Sequence, residues 1–144
     1  MRVYVVDASV AARFLLIEEL SDKAEWLLQR FQEDAVELKA PSLVRYEVGN
    51  TLWKAVKQRL IDVHEASQKF SQFMKLKLDS VELDEQECLN ALAWAVRNEA
   101  TYYDSVYVKV CEKTGAALLT ADDALYEKAS KDVPTLHLRD LKKN

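Results

Sequence analysis

The sequence predicts an α/β fold: a mainly parallel sheet covered on both faces by helices. Three observations predict it. Short apolar segments alternate with longer segments whose apolar residues recur at helical spacing, the pattern of strand–helix units. The first of these short segments, RVYVV, and a late one, AALL, are almost wholly apolar, as strands buried on both faces are. The 144 residues hold two glycines and two prolines and no Asn-Gly or Asp-Gly pair. Average usage gives about seventeen glycines and prolines together at this length, so a hairpin-rich sandwich or barrel is disfavoured.

Each element follows in order. Residues 2–6 (RVYVV) read as a buried strand and 9–17 (SVAARFLLI) as a short helix. Ser21 and Asp22 can cap a helix over 22–33, with Ala24, Leu27, Leu28 and Phe31 at helical spacing. Residues 35–39 (AVELK) read as a strand. Pro41 and Ser42 open a helix over 42–58 whose apolar face includes Val44, Val48, Leu52 and Ala55. A helix is expected over 62–77, a strand over 79–83 (DSVEL), and a helix over 85–98 capped by Asp84, with Leu89, Leu92, Ala93 and Val96 facing inward. Thr101 begins another helix, with Val106, Tyr107, Val110 and Cys111 on one face, and Gly115 stops it. Residues 116–119 (AALL) are a strand, Asp122 or Asp123 starts a last helix, and 134–138 (PTLHL) is a final strand. The charged end, RDLKKN, is expected to fray. No linker or repeat divides the chain, so residues 1–144 read as a single domain.

Composition bounds the function. The chain is 49% hydrophobic and 31% charged, a globular balance. No apolar run approaches the roughly 20 residues of a membrane span, and Asp7 interrupts the first apolar run, against a secretory signal. A cytoplasmic protein with no membrane association is the expectation. A net charge of −4 argues against gripping duplex nucleic acid by bulk charge, though an active site made of carboxylates lowers the charge by itself. Cys88 and Cys111, in apolar helical patterns, read as two small buried residues, and no Cys/His cluster supports structural zinc. His64 and His137 read as structural or solvated. Trp26, Trp53 and Trp94 read as core by default, with a dimer or partner face as the alternative.

In open parallel sheets a site forms beyond the carboxyl ends of the strands. Four acids map there: Asp7 after the first strand, Asp122 three residues after AALL, Asp104 in the first turn of its helix, and Glu47 in the helix after AVELK. Each has a plain explanation. The aspartates can serve helix N-termini, Asp104 in a Thr-x-x-Asp arrangement with Thr101, and Glu47 can be a solvated helix residue. Together they suggest a cluster, and clustered like charges resist joint ionisation. Apart from Arg45, which is expected on another helix face, no Lys or Arg adjoins these motifs closely enough to neutralise them, and Mg²⁺ or Mn²⁺, which prefer carboxylate and water oxygens, would. Gly49, inside the helix of Glu47, suggests close packing there. Lys54, Lys57 and Arg59 are either an approach for phosphates or a solvated face.

VVDASV at 5–10, RYEVGN at 45–50, YYDSVYVKV at 102–110 and LLTADDAL at 118–125 resemble the four acidic motifs of PIN-domain ribonucleases, especially VapC toxins of VapBC toxin–antitoxin pairs. The resemblance spans essentially the whole chain. It implies a three-layer α/β/α domain around a five-stranded parallel sheet. It also implies Mg²⁺- or Mn²⁺-dependent hydrolysis of single-stranded or structured RNA leaving a 5′-phosphate, a homodimer, and inhibition by a VapB-like antitoxin. By this resemblance Asp7 and Asp104 are metal ligands, and Asp122 and Glu47 complete the four-carboxylate site. Ser9 and Thr120 match small hydroxyl positions that can bond the acids, and Asn50 shares the face of Glu47. Asp123 either substitutes for Asp122 or serves the last helix. The alternatives are a PIN-like module that binds RNA or protein without cutting, or another aspartate enzyme. A receiver domain would want a late lysine, and a haloacid-dehalogenase-like phosphatase Asp-x-Asp, where this chain has Ser9.

Overall fold

The computed structural model describes residues 1–143. In chain order the elements are β1 (Arg2–Val6), α1 (Ala8–Ala12), α2 (Ser21–Gln32), β2 (Val36–Ala40), α3 (Leu43–Lys57), α4 (Val63–Lys75), β3 (Asp79–Ser80), α5 (Glu85–Asn98), α6 (Tyr102–Thr114), β4 (Ala117–Thr120), α7 (Asp123–Ala129) and β5 (Thr135–His137). A 3-10 turn over Leu138–Asp140 follows.

The five strands form one parallel sheet in the order β3-β2-β1-β4-β5. The chain steps outward from β1 through β2 to β3, then returns to the other side of β1 for β4. The strand order therefore reverses between β1 and β4, where Val6 lies opposite Leu119. Consecutive residues Val5 and Val6 on β1, and Leu118, Leu119 and Thr120 on β4, are all buried. Side chains of successive strand residues point to opposite faces, so both faces of the sheet are covered. α6 lies against β1 and β4, α7 against β4 and β5, and α2 against β2, while α5 backs onto α6 and α3 lies between α1 and α4.

Local chemistry sets the helix boundaries. Asp7, Asp62, Asp84, Thr101 and Asp122 each accept a hydrogen bond from a backbone N–H in the first turn of the helix they precede, the ordinary work of N-cap residues. Gly115 ends α6 at φ 74°, a conformation that favours glycine. Gly49 has a packing reason: a Cβ there would sit 3.2 Å from the Phe70 ring, so its absence brings α3 close to α4. The predicted inner face of α3, Val44, Val48, Leu52 and Ala55, is buried.

Several expectations are corrected. The helix expected over 9–17 ends at Ala12. The Arg13 guanidinium then ties the Ser9 carbonyl to the Glu19 carbonyl and fixes the turn towards α2. Ser21 and Asp22 do not cap α2. Leu20 takes that place in a left-handed conformation, while the Ser21 hydroxyl bonds Leu16 and Glu18. The edge strand over 79–83 is reduced to Asp79–Ser80. α5 turns its other stripe inward: Ala91, Trp94 and Ala95 are buried, with the Trp94 indole donating to Asp132, and Leu89, Leu92 and Val96 are exposed. The charged end is held against the fold as far as Lys143. Leu138 and Leu141 are buried and Lys143 pairs with Asp22. Asn144 lies outside the described residues.

Candidate active site

The site lies at the reversal point of the sheet, beyond the carboxyl ends of β1 and β4, where open parallel sheets leave a crevice. Asp7 leaves β1 at this point and is only 4% exposed. Its Oδ1 accepts from the Ser9 hydroxyl at 2.6 Å and from the Val10 N–H at 3.2 Å, and its Oδ2 accepts from the Thr120 hydroxyl at 2.5 Å. Ser9 Oγ also accepts from Ala121 N–H, and Thr120 Oγ1 from Asp122 N–H. Both hydroxyls thus stitch the loop after β1 to the loop after β4. Their bonds favour the charged carboxylate, but burial outweighs them, and with the charge of Asp122 it pushes the Asp7 carboxyl up to about 6.

Asp122 caps α7, accepting from Leu125 N–H at 3.0 Å. Asp104 sits in the first turn of α6, its own N–H donating to Thr101 Oγ1. Its carboxyl is also pushed up to about 6, by burial first and then by the charges of Asp122 and Glu47. Glu47, half-buried on α3, accepts from the Tyr107 hydroxyl at 2.6 Å. The structure therefore brings Asp7, Glu47, Asp104 and Asp122 into one electrostatic environment. The capping and clustering explanations of the aspartates are not alternatives. In a parallel sheet the helix N-termini lie at the carboxyl ends of the strands, so capping acids gather there.

Asp123 does not join them. Its exposed carboxylate accepts from Arg139 at 2.9 Å and lies 2.8 Å from His137 Nε2. His137, buried at the end of β5, also accepts from Arg139 N–H, consistent with its structural reading. Asn50 is exposed and shares a cleft of about 390 Å³ with Glu47, Ala8, Tyr46, Lys54 and Tyr103.

Two participants escaped the sequence reading. Tyr107 looked like a core residue, and its ring is buried. Its hydroxyl, however, reaches Glu47. Burial and the charges of Glu47, Asp7 and Asp104 push this phenol far up, so it stays a donor at neutral pH. Its place on the buried face of α6, three residues after Asp104, was the available signal. Lys128, on α7, is the second. Its charge opposes the upward shift at Asp104 while its ammonium donates to the Glu99 carbonyl. Lys128 does not neutralise the acids: burial and the neighbouring carboxylates still prevail at Asp104.

Hard carboxylate oxygens under mutual repulsion suit a hard divalent cation. Among the described residues no three acidic, histidine or cysteine side chains are already gathered as a ligand set. That remains compatible with Mg²⁺, which takes one or two carboxylates and keeps several waters.

The reversal-point crevice and its acids define an α/β domain of the PIN type. Residues 4–131 match the PIN domain family, and the chain belongs to it. Ribonuclease VapC3 of Pyrobaculum aerophilum is 38% identical over 128 residues, covering 86% of this chain and 92% of that protein. The crystal structure of PAE2754 from Pyrobaculum aerophilum superimposes with a TM-score of 0.72 at 25% identity, covering 96% of this chain and 92% of its own. VapBC-1 from nontypeable Haemophilus influenzae shares the fold, with a TM-score of 0.65 at 11% identity over 96% of this chain and 99% of that one. No helix among the described residues is long and apolar enough to cross a membrane.

Proposed function

We propose that this protein is a VapC-like ribonuclease, dependent on Mg²⁺ or Mn²⁺, that hydrolyses RNA phosphodiester bonds at its four carboxylates. The observation that carries the reading is the buried Asp7 at the end of β1, joined through the Thr120 hydroxyl to the Asp122 loop after β4, with Asp7 and Asp104 both pushed up to about 6 by burial and by neighbouring acids. A fold that keeps such groups together without a cation works against itself. The similarity to Ribonuclease VapC3 points the same way.

In this reading Asp7 and Asp104 would hold the ion, and Glu47 and Asp122 would complete the site by binding it directly or through its waters. A bound divalent cation would supply positive charge for water activation and for the phosphoryl oxygens. Ser9 and Thr120 fix the Asp7 carboxylate, and Tyr107 fixes Glu47. No histidine takes part.

The regulator is a VapB-like antitoxin. Its docking surface is the groove of about 490 Å³ between the turn after α1 and α3–α4, lined by Leu15, Leu16, Ile17, Ala55, Leu60 and Ile61. That groove shares Thr51 and Lys54 with the Glu47 cleft, so the two adjoin. The chain works as a cytoplasmic homodimer through the exposed Leu89, Leu92 and Val96 stripe of α5, which can pair with itself in antiparallel fashion.

The test is cleavage of a panel of RNAs with Mg²⁺, Mn²⁺ or EDTA by wild type and Asp104→Asn. Metal-dependent cutting by wild type alone is expected. Absence of cutting, together with no Mn²⁺-induced rise in melting temperature relative to Asp7→Asn, would leave a non-catalytic binding module.

A further inference from the structure

Two tyrosines sit directly before two site acids: Tyr46 before Glu47 on α3, and Tyr103 before Asp104 on α6. Neighbouring residues on a helix point about 100° apart, so a residue beside a site acid is carried to the rim of the site. Tyr46 is 76% and Tyr103 58% exposed. Both rings line the cleft of about 390 Å³ that holds Glu47, Asn50 and Lys54. Both also line a second cleft of about 280 Å³, whose other walls include Leu43, Leu83 and Val106. The pair therefore stands where a cleft of mixed polarity on the Glu47 side meets a mainly apolar one.

Resting on the nuclease reading above, we propose that Tyr46 and Tyr103 are the base-stacking platform of the site, the two rings holding the unpaired bases that flank the cut, one entering each cleft. The charge of the protein favours this way of holding RNA. At net −4, with four acids at the centre, attraction to phosphates is a weak source of affinity. Stacking on an aromatic face does not depend on net charge and contributes about 1–3 kcal/mol per base. A paired base already stacks on its neighbours and is unavailable, so the platform selects unpaired strands. Lys54 and Asn50, in the carboxylate-side cleft, offer a cation and an amide to the adjoining phosphate and sugar.

Binding is read by anisotropy of a fluorescently labelled, short single-stranded oligoribonucleotide on Asp104→Asn protein, and cleavage by kinetics in the otherwise wild-type chain. Tyr46→Leu and Tyr103→Leu should each weaken binding about 5- to 100-fold. KM should rise by a similar factor with kcat largely kept. Tyr→Phe and Tyr→Trp at either position should retain wild-type behaviour. An abasic nucleotide beside the cut should weaken wild type as much as the leucine variants, and weaken those variants little further. A hairpin that pairs the same bases should bind poorly. Leucine variants that bind and cut like wild type, or phenylalanine variants that lose as much as leucine ones, would overturn the proposal. So would unchanged RNA binding accompanied by loss of self-association in sedimentation. Ring-dependent binding without any cutting in Mn²⁺ keeps the platform and removes the nuclease reading. Cutting without ring dependence does the reverse.

Discussion

Replacing Asp7 by asparagine should make the metal-free protein more stable at pH 8, not less. The folded protein holds the Asp7 carboxyl at about 6, against an ordinary 3.8. Between those two values the native state binds a proton that the unfolded chain has released. The associated stability is fully present below 3.8 and is lost as pH rises through about 6. At about 1.4 kcal/mol per pH unit, ionising Asp7 in the folded state costs about 3 kcal/mol. Asp104, also raised to about 6, acts in the same direction with a smaller effect, because solvent reaches it. Asparagine fits the same frame. Its oxygen can accept from Ser9 and Val10, and its amide can donate to Thr120 Oγ1 once that hydroxyl turns towards Ser9, 3.4 Å away. Some of the gain is lost with the charge-assisted bonds, which leaves about 1–3 kcal/mol. Urea unfolding in EDTA across pH 5 to 8 reads this directly. Wild type should gain stability on acidification from pH 8 to 5, and the lead of Asp7→Asn at pH 8 should shrink by about 1.4 kcal/mol by pH 5, the remainder of the Asp7 penalty being relieved only towards pH 3.8. In Mn²⁺ at about 100 times its Kd, wild type should gain about 3 kcal/mol and the variant much less. A wild type whose metal-free stability is flat or falling between pH 8 and 5, or a variant weaker than wild type at pH 8, would refute the electrostatic account of the site.

Tyr107→Phe keeps the buried ring and frees Glu47. Stability should fall by only about 0.5–1.5 kcal/mol, since water can reach Glu47, while Mn²⁺ affinity or cleavage rate falls about 10- to 100-fold. Calorimetric Mn²⁺ titration and cleavage kinetics check it, and an unchanged pair of values would count against positioning. Gly49→Ala should be nearly neutral in thermal melts, its helix gain of about 1 kcal/mol offset by the 3.2 Å approach to Phe70. Gly49→Val should destabilise by about 1–3 kcal/mol. Leu92→Glu, at the centre of the exposed α5 stripe, should shift sedimentation from dimer to monomer with the fold retained by circular dichroism. Asp123→Asn should leave Mn²⁺ stabilisation intact and loosen only the Arg139 and His137 contacts, seen as a small drop in melting temperature.

The strand–helix alternation, the β1 and β4 strands, the inner face of α3 and the Gly115 stop were legible because each depends on a few neighbouring residues: apolar runs, periodicity, a left-handed turn. The inner stripe of α5 was not. Leu89, Leu92 and Val96 and the Ala91, Trp94 and Ala95 stripe both fit a helix, and only the surface of α6 chooses between them. α1 was overrun for a similar reason, because the Arg13 clamp on Ser9 and Glu19 leaves no mark in hydrophobicity. The acids at 7, 47, 104 and 122 could be named from the order of their motifs. Their meeting at one crevice depends on β4 pairing with β1, a contact between residues more than a hundred positions apart. That pairing also joins Thr120 to Asp7, while packing of α6 beside α3 sends the Tyr107 hydroxyl to Glu47 and Lys128 reaches the field of Asp104 from α7. Residue type and spacing are properties of the chain and determine which groups can do the chemistry. Burial and the field of distant charges exist only once the sheet is assembled, and they decide which of those groups resist ionisation.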